Sequence, residues 1–159
     1  MNILFICTHN ACRSILAEVI ARQLSNGRLS SASAGSNPAG RIHPLTLKYL
    51  IMHGYSTEGL SSKSWEEAVQ NASPDIIITV CDQAAGDACP IALERNTIKG
   101  HWGLPDPSHL ADNSRSETEA FALVIGTIES RIQLLLSEPI EEMGAAALQA
   151  LINRVGDAQ

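Results

Sequence analysis

Apolar and polar positions fall into blocks along the chain, and each block has the length and period of one element. Asn2-Ile3-Leu4-Phe5-Ile6-Cys7 is an apolar run of strand length ended by the polar Thr8-His9-Asn10, which predicts a buried parallel strand. From Ser14 onward Ile15, Leu16, Val19, Ile20 and Leu24 keep helical spacing, with Gln23 the polar intruder and Ser25-Asn26-Gly27 the stop. Residues 29–34 alternate small and apolar side chains and read as a second strand before a loop that begins at Gly35. His43-Pro44 opens a helix with proline in its first turn, with Leu47, Leu50 and Ile51 as its inner face and Gly54 as its end. Ser64 with Glu67 three residues later is a capping-box pattern, predicting a short helix over 65–71.

The strongest strand pattern is 74–81, where Ile76, Ile77, Ile78, Thr79 and Val80 are β-branched and the run again ends on a cysteine. Residues 96–102 predict a fourth strand, and the two prolines of Gly103-Leu104-Pro105-Asp106-Pro107 make the following loop stiff. Residues 116–137 form a long amphipathic helix with Phe121, Val124, Ile125, Ile128, Ile132 and Leu135 on one stripe. Ile140, Met143, Ala147, Leu151 and Val155 predict a last, weaker helix with Gly144 inside it. Strands alternating with helices in this way predict a single α/β domain over 1–159, a central parallel four-stranded sheet with helices on both faces. Such sheets carry their chemistry at the carboxyl ends of the strands, so Cys7, Cys81 and Asp106 are expected to converge on one edge.

Composition narrows the classes of function. A chain of 159 residues that is 45% hydrophobic and 18% charged supplies one core of ordinary size. A formal charge of -6 removes the basic footprint that nucleic-acid binding requires. The first apolar run lacks a basic flank and is too short for a signal peptide or a membrane span. The expectation is a monomeric cytoplasmic protein with neither nucleic acid nor membrane as partner. Four cysteines, at positions 7, 12, 81 and 89, are too few for a secreted disulfide scaffold, and in a reducing compartment they point to catalysis or metal.

Cys7-Thr8-His9-Asn10-Ala11-Cys12-Arg13-Ser14 fits Cys-x5-Arg-Ser between a strand and a helix. Five residues at such a turn can curl into a cradle of backbone N–H groups for a tetrahedral oxyanion, and Arg13 adds a planar fork that holds two of its oxygens. Cys7 lies at the cradle floor, where the helix dipole and Arg13 favour a nucleophilic thiolate. Asn10 is expected to hold the loop, Ser14 to donate to Cys7, Cys12 to pack as a small hydrophobe, and His9 to add a donor to the bound anion. Asp106, held stiffly between prolines, is the candidate acid for a departing oxygen. Cys81 and Cys89 flank a polar, small-residue segment with little apolar anchoring, expected to be mobile. As a helix it would hold the two sulfurs about 12 Å apart, beyond disulfide reach without unwinding. The gap between them departs from zinc-ligand spacing, and His9, His43, His53, His101 and His109 are scattered, so no metal site is expected.

These motifs, together with Ser33-Ala34-Gly35 and Trp102-Gly103-Leu104-Pro105-Asp106-Pro107, resemble the thioredoxin-coupled arsenate reductases built on the low-molecular-weight tyrosine phosphatase fold. The resemblance covers nearly the whole chain, and the Cys81 and Cys89 pair is what separates the reductases from the phosphatases. It implies that Cys7 attacks arsenate while Arg13 and the N–H groups of residues 8–14 hold its oxygens and Asp106 protonates the one that leaves. It further implies that Cys81 attacks the Cys7 adduct and expels arsenite, and that Cys89 moves the disulfide to Cys81-Cys89. No tightly bound cofactor is implied; electrons come from thioredoxin, with glutaredoxin and glutathione as the alternative donor, and phosphate or sulfate serve as substrate analogues. His9 stands where relatives often carry glycine, and Ser108-His109 replaces the tyrosine pair common in the phosphatases. The other enzyme this pattern allows is a phosphatase working through a Cys7 phosphocysteine.

Overall fold

A computed structural model of the protein describes residues 1–81, 96–108 and 116–158; Cys89, the segment between it and Cys81, and His109 lie outside the described residues. Four strands, β1 (Asn2–Cys7), β2 (Ser30–Gly35), β3 (Ile76–Thr79) and β4 (Ile98–His101), form one parallel sheet in the order β2-β1-β3-β4. Among the described residues five helices surround it: α1 (Arg13–Leu24), α2 (Pro44–Met52), α3 (Trp65–Ala72), α4 (Glu117–Leu136) and α5 (Ala145–Asp157). The chain moves one way across the sheet from β1 to β2 and the other way from β2 to β3, so right-handed crossovers put α1 and α3 on opposite faces. Burial agrees: Ile3, Leu4, Phe5 and Ile6 of β1 are at most 1% exposed, which a strand achieves only when both faces are covered.

Register decides what reaches the carboxyl edge. Ile6 sits beside both Ala34 and Thr79, and Cys7 beside Gly35. Backbone pairing then continues past the strands, with Val80 N–H donating to Ile6 O at 2.9 Å and Leu104 N–H to Val80 O at 3.0 Å. Cys7, Cys81 and the loop that carries Asp106 are thereby gathered on one edge. The long helix behaves as its pattern demands: Ser116 caps it by accepting from Glu119 N–H, and all six residues of the apolar stripe are buried. The outer edge of β4 is covered by Gln149, whose amide donates to Lys99 O and accepts from Lys99 N–H.

The structure corrects several boundaries and faces. In α2 the buried side chains are Thr46, Tyr49 and Leu50, while Ile51 is 63% exposed. The reason is that Tyr49 stacks on Phe121 with ring centroids 4.3 Å apart, which turns Ile51 to the opposite side of the helix. The last helix begins after Gly144, which is its N-cap, and Ile140 belongs to a separate 3-10 turn, Ile140–Glu142. Its inner face is Leu148, Leu151, Ile152 and Val155, and Ala147 is exposed. β3 and β4 are shorter than their apolar runs: β3 begins beyond Pro74, which has no N–H to give, and β4 turns into the proline loop. Among the described residues no helix is long and apolar enough to cross a membrane.

Gly156 in α5 lies against the end of β4: a Cβ there would stand 2.7 Å from both His101 O and Trp102 Cδ1. In an open helix Gly→Ala stabilises by about 1 kcal/mol. Here the sign is expected to reverse, with Gly156→Ala lowering stability by about 1–3 kcal/mol through overpacking; denaturant titration checks this, and a stabilised variant would contradict the packing.

Candidate active site

The loop between β1 and α1 is held by its carbonyls. Cys7 O accepts from Ser36 N–H, Thr8 O from Asn37, His9 O from Ala39 and Ala11 O from His43, at 2.8 to 3.3 Å, with Ser62 Oγ and Thr46 Oγ1 adding bonds to His9 O and Ala11 O. Every peptide bond of this loop is trans, so the N–H of the following residue points opposite to each of these carbonyls. The N–H groups of Thr8, His9, Asn10 and Cys12 are therefore turned to the other side, into the concavity above Cys7, at the N-terminus of α1. No side chain caps that helix end. The result is a nest of donors with the positive end of a helix behind it, suited to a tetrahedral oxyanion.

One side chain fixes this inversion. Asn10 is fully buried at φ +46°, the left-handed region that Asn tolerates better than most residues. Its amide donates to Ser14 Oγ at 2.8 Å and Ser33 Oγ at 3.0 Å, and its Oδ1 accepts from Lys63 N–H at 2.9 Å. Ser14 Oγ, which accepts from Asn10, lies 2.9 Å from Cys7 Sγ, and its proton is available to that sulfur whenever it is a thiolate. Gly35 lets β2 approach: a Cβ at that position would lie 2.7 Å from Thr8 O.

The other expected residues arrive from separate elements. Arg13, half-buried, donates from Nη1 to Leu104 O at 3.1 Å and places Nη2 3.7 Å from Asp106 Oδ2. Asp106 is held from its far side by Ser108, whose N–H and hydroxyl both donate to Oδ1, at 3.0 and 2.7 Å. Cys81 is buried with its Sγ 3.4 Å from Thr8 Oγ1, so a second thiol touches the residue next to Cys7. Cys7, Cys12 and Cys81 all carry thiols. Cys12 is the inert one: burial, partly offset by a Thr46 hydroxyl bond, pushes its thiol up to about 12. His9 is exposed and its imidazole Nδ1 lies 3.2 Å from Asn37 O, so its backbone N–H, not its ring, belongs to the nest.

Residues outside the loop motif also hold it, and the sequence pattern did not single them out. Thr46 and the Lys63 backbone act through single bonds that no local motif announces. Glu18 has a visible signal, a lone carboxylate among the apolar residues of α1. It is 4% exposed, with Oε2 unpartnered, and desolvation raises its pKa against the pull of Lys63, Arg22 and Ser33. Among the described residues no group of three or more His, Cys, Asp or Glu side chains is placed to hold a metal ion.

Comparison with known proteins places this geometry. Residues 2–147 match the family described as low molecular weight phosphotyrosine protein phosphatase. Arsenate reductase 1 of Staphylococcus epidermidis is 31% identical over 129 residues, 76% of this chain and 95% of the relative. An arsenate reductase solved in a phosphate-binding state is 26% identical with a TM-score of 0.68, covering 86% of this chain and 96% of that one. A thioredoxin-dependent arsenate reductase of Corynebacterium glutamicum is 28% identical with a TM-score of 0.63, covering 86% of this chain and 63% of that one.

Removing the Asn10 side chain breaks three bonds, two of them buried, and leaves an unfavourable φ. Asn10→Ala is expected to cost about 2–4 kcal/mol and to abolish the thermal stabilisation that phosphate gives the unaltered protein; an undiminished phosphate shift in differential scanning fluorimetry would refute its role. Cys12 is expected to resist iodoacetamide in the native protein up to roughly pH 9 and to react on unfolding, as peptide mapping would show.

Proposed function

The chain belongs to the low molecular weight phosphotyrosine protein phosphatase family, and within it we propose that this protein is an arsenate reductase that spends its own thiols on the reaction. The single observation that carries the choice over phosphate-ester hydrolysis is Cys81 Sγ at 3.4 Å from Thr8 Oγ1. A phosphatase has no use for a second thiol there.

In the first step the nest and Arg13 hold the oxygens of arsenate, and Cys7 Sγ attacks arsenic from beneath. Ser14 orients the sulfur by its hydrogen bond. The departing oxygen takes a proton from Asp106 and leaves as water. Arg13 sits between the anion and Asp106, and its bond to Leu104 O keeps the fork from following the carboxylate. In the second step Cys81 attacks the sulfur of the Cys7 adduct. The S–As bond breaks, its electron pair stays on arsenic, and arsenite departs while a Cys7-Cys81 disulfide forms. Arsenic gains the two electrons that the two sulfurs lose. Cys89 then attacks Cys81, freeing Cys7, and the Cys81-Cys89 disulfide is reduced by a thioredoxin in the cytoplasm, with the protein acting as a monomer and holding no bound cofactor. A glutaredoxin with glutathione is the other donor of the same chemistry.

Cys81→Ser and Cys89→Ser are each expected to abolish multiple-turnover arsenite production with thioredoxin, its reductase and NADPH, while any slow hydrolysis of an aryl phosphate persists. Full turnover in either variant would sink the relay. Aryl phosphate hydrolysis with no arsenite formed by the unaltered protein would establish the phosphatase reading instead.

A further inference from the structure

Asp106 stands between Pro105 and Pro107, and proline has no N–H to give. The first backbone donor beyond it is therefore Ser108, a half-buried residue that bends back onto the carboxylate. Its N–H and its hydroxyl both donate to Oδ1, at 3.0 and 2.7 Å. The other oxygen, Oδ2, lies 3.7 Å from Arg13 Nη2. The N–H bond is the local turn that an aspartate commonly makes with its own backbone two residues on. The hydroxyl bond is shorter and comes from a side chain, so the course of the loop backbone does not account for it.

We propose that Ser108 is a positioning residue for the proton transfer: its hydroxyl fixes which oxygen of Asp106 carries the proton and turns that oxygen toward Arg13 and the nest. This rests on the reading of Asp106 as the acid that protonates the departing oxygen. A carboxylate oxygen offers two lone-pair directions, and on Oδ1 each is met by one Ser108 donor. A proton on Oδ2 leaves both bonds intact, whereas a proton on Oδ1 must displace one of them. The last torsion of an aspartate is broad and twofold. In the neutral acid, half a turn about it would put the O–H against Ser108 and leave a bare oxygen facing the nest, where it has no proton to give.

The same bonds serve the transfer itself. As the proton passes from Oδ2 to the departing oxygen, the O–H bond breaks, water leaves, and the electron pair stays on a carboxylate whose Oδ1 already has two donors. The charge that forms is met by dipoles in place beforehand. Arg13 does not replace this brace, because it approaches the other oxygen and its Nη1 is committed to Leu104 O at 3.1 Å.

The test is a single turnover with reduced protein in excess over arsenate, so that the external donor does not enter the rate. Ser108→Ala and Ser108→Gly both keep the N–H and lose the hydroxyl. Each is expected to slow arsenite formation roughly tenfold while the thermal stabilisation by phosphate is unchanged, and Ser108→Thr is expected within about threefold of the unaltered protein. On an Asp106→Asn background Ser108→Ala should cost less than about twofold, because the hydroxyl acts only through the carboxyl. An unchanged rate in Ser108→Ala overturns the proposal. So does a loss of the same size on the Asp106→Asn background, or loss of the phosphate shift along with the rate, since both mark a purely structural role in the loop. Full-rate arsenite formation by Asp106→Asn discards Asp106 as the acid, and Ser108 with it. If the unaltered protein forms no arsenite, the same variants are compared on hydrolysis of an aryl phosphate, whose leaving oxygen needs the same proton. The same pattern there keeps the role of Ser108 and discards the reductase reading alone.

Discussion

The site depends on the direction of a few peptide planes. A loop of small and polar residues at the start of a helix has no intrinsic reason to turn its N–H groups inward. Here the carbonyls of Cys7, Thr8, His9 and Ala11 are drawn to the N–H groups of residues 36–43, and planarity turns the N–H groups the other way. Asn10 then locks the loop to β2 through Ser33 and to α1 through Ser14. The same side chain that shapes the nest thus orients the hydroxyl that bonds Cys7. Shape and reactivity share one set of bonds, and that is why the arrangement tolerates a left-handed non-glycine residue at its centre.

The fold was legible because its signals are local and repeated. Five β-branched residues in succession mark β3, Ser64 and Ser116 each cap a helix, and the stripe on α4 is complete. The gathering of Cys7, Arg13 and Asp106 on one edge was legible, because a cysteine, an arginine and a serine at fixed spacing on a strand-to-helix turn imply an anion nest. What escaped was long-range. Ile51 was misplaced since the inner face of α2 is chosen by stacking of Tyr49 on Phe121, seventy-two positions away in the sequence, and periodicity over nine residues cannot reveal such a partner. Gly144 looked like a break inside a helix because Ile140 and Met143 extend the apolar spacing backward; the chain uses them for a separate turn. Thr46 and Lys63 act through isolated long-range bonds, below the level of any motif.

Hydrogen-bond partners sort the thiols more sharply than spacing or burial does. Cys7, Cys12 and Cys81 are all under 7% exposed, so accessibility does not separate them. Their partners do. Cys7 lies against the hydroxyl of a serine at the helix start, Cys81 meets Thr8, and Cys12 faces Thr46 in an environment that raises its pKa. A small thiol in an apolar wall is a packing residue, whereas a donor network at a helix N-terminus favours the thiolate.

Asp106 is positioned from the opposite end of the chain. Arg131 of α4, 9% exposed, donates to Gly103 O at 3.2 Å and to Gly156 O at 3.3 Å, tying the loop that carries Asp106 to the last turn of α5. Trp102 beside it donates to Ile152 O at 3.0 Å, and its ring lies 6.2 Å from that of Phe5 in β1. A guanidinium buried there costs desolvation, which lowers its pKa, and it leaves Nε without a partner. Backbone carbonyls at a loop and at a helix C-terminus are the acceptors that offset this cost best, since both carry partial negative charge with no other donor at hand. The distance between Cys7 and Asp106 is therefore set by two independent braces, Asn10 on the side of β2 and Arg131 on the side of β4, with the sheet between them as the common reference.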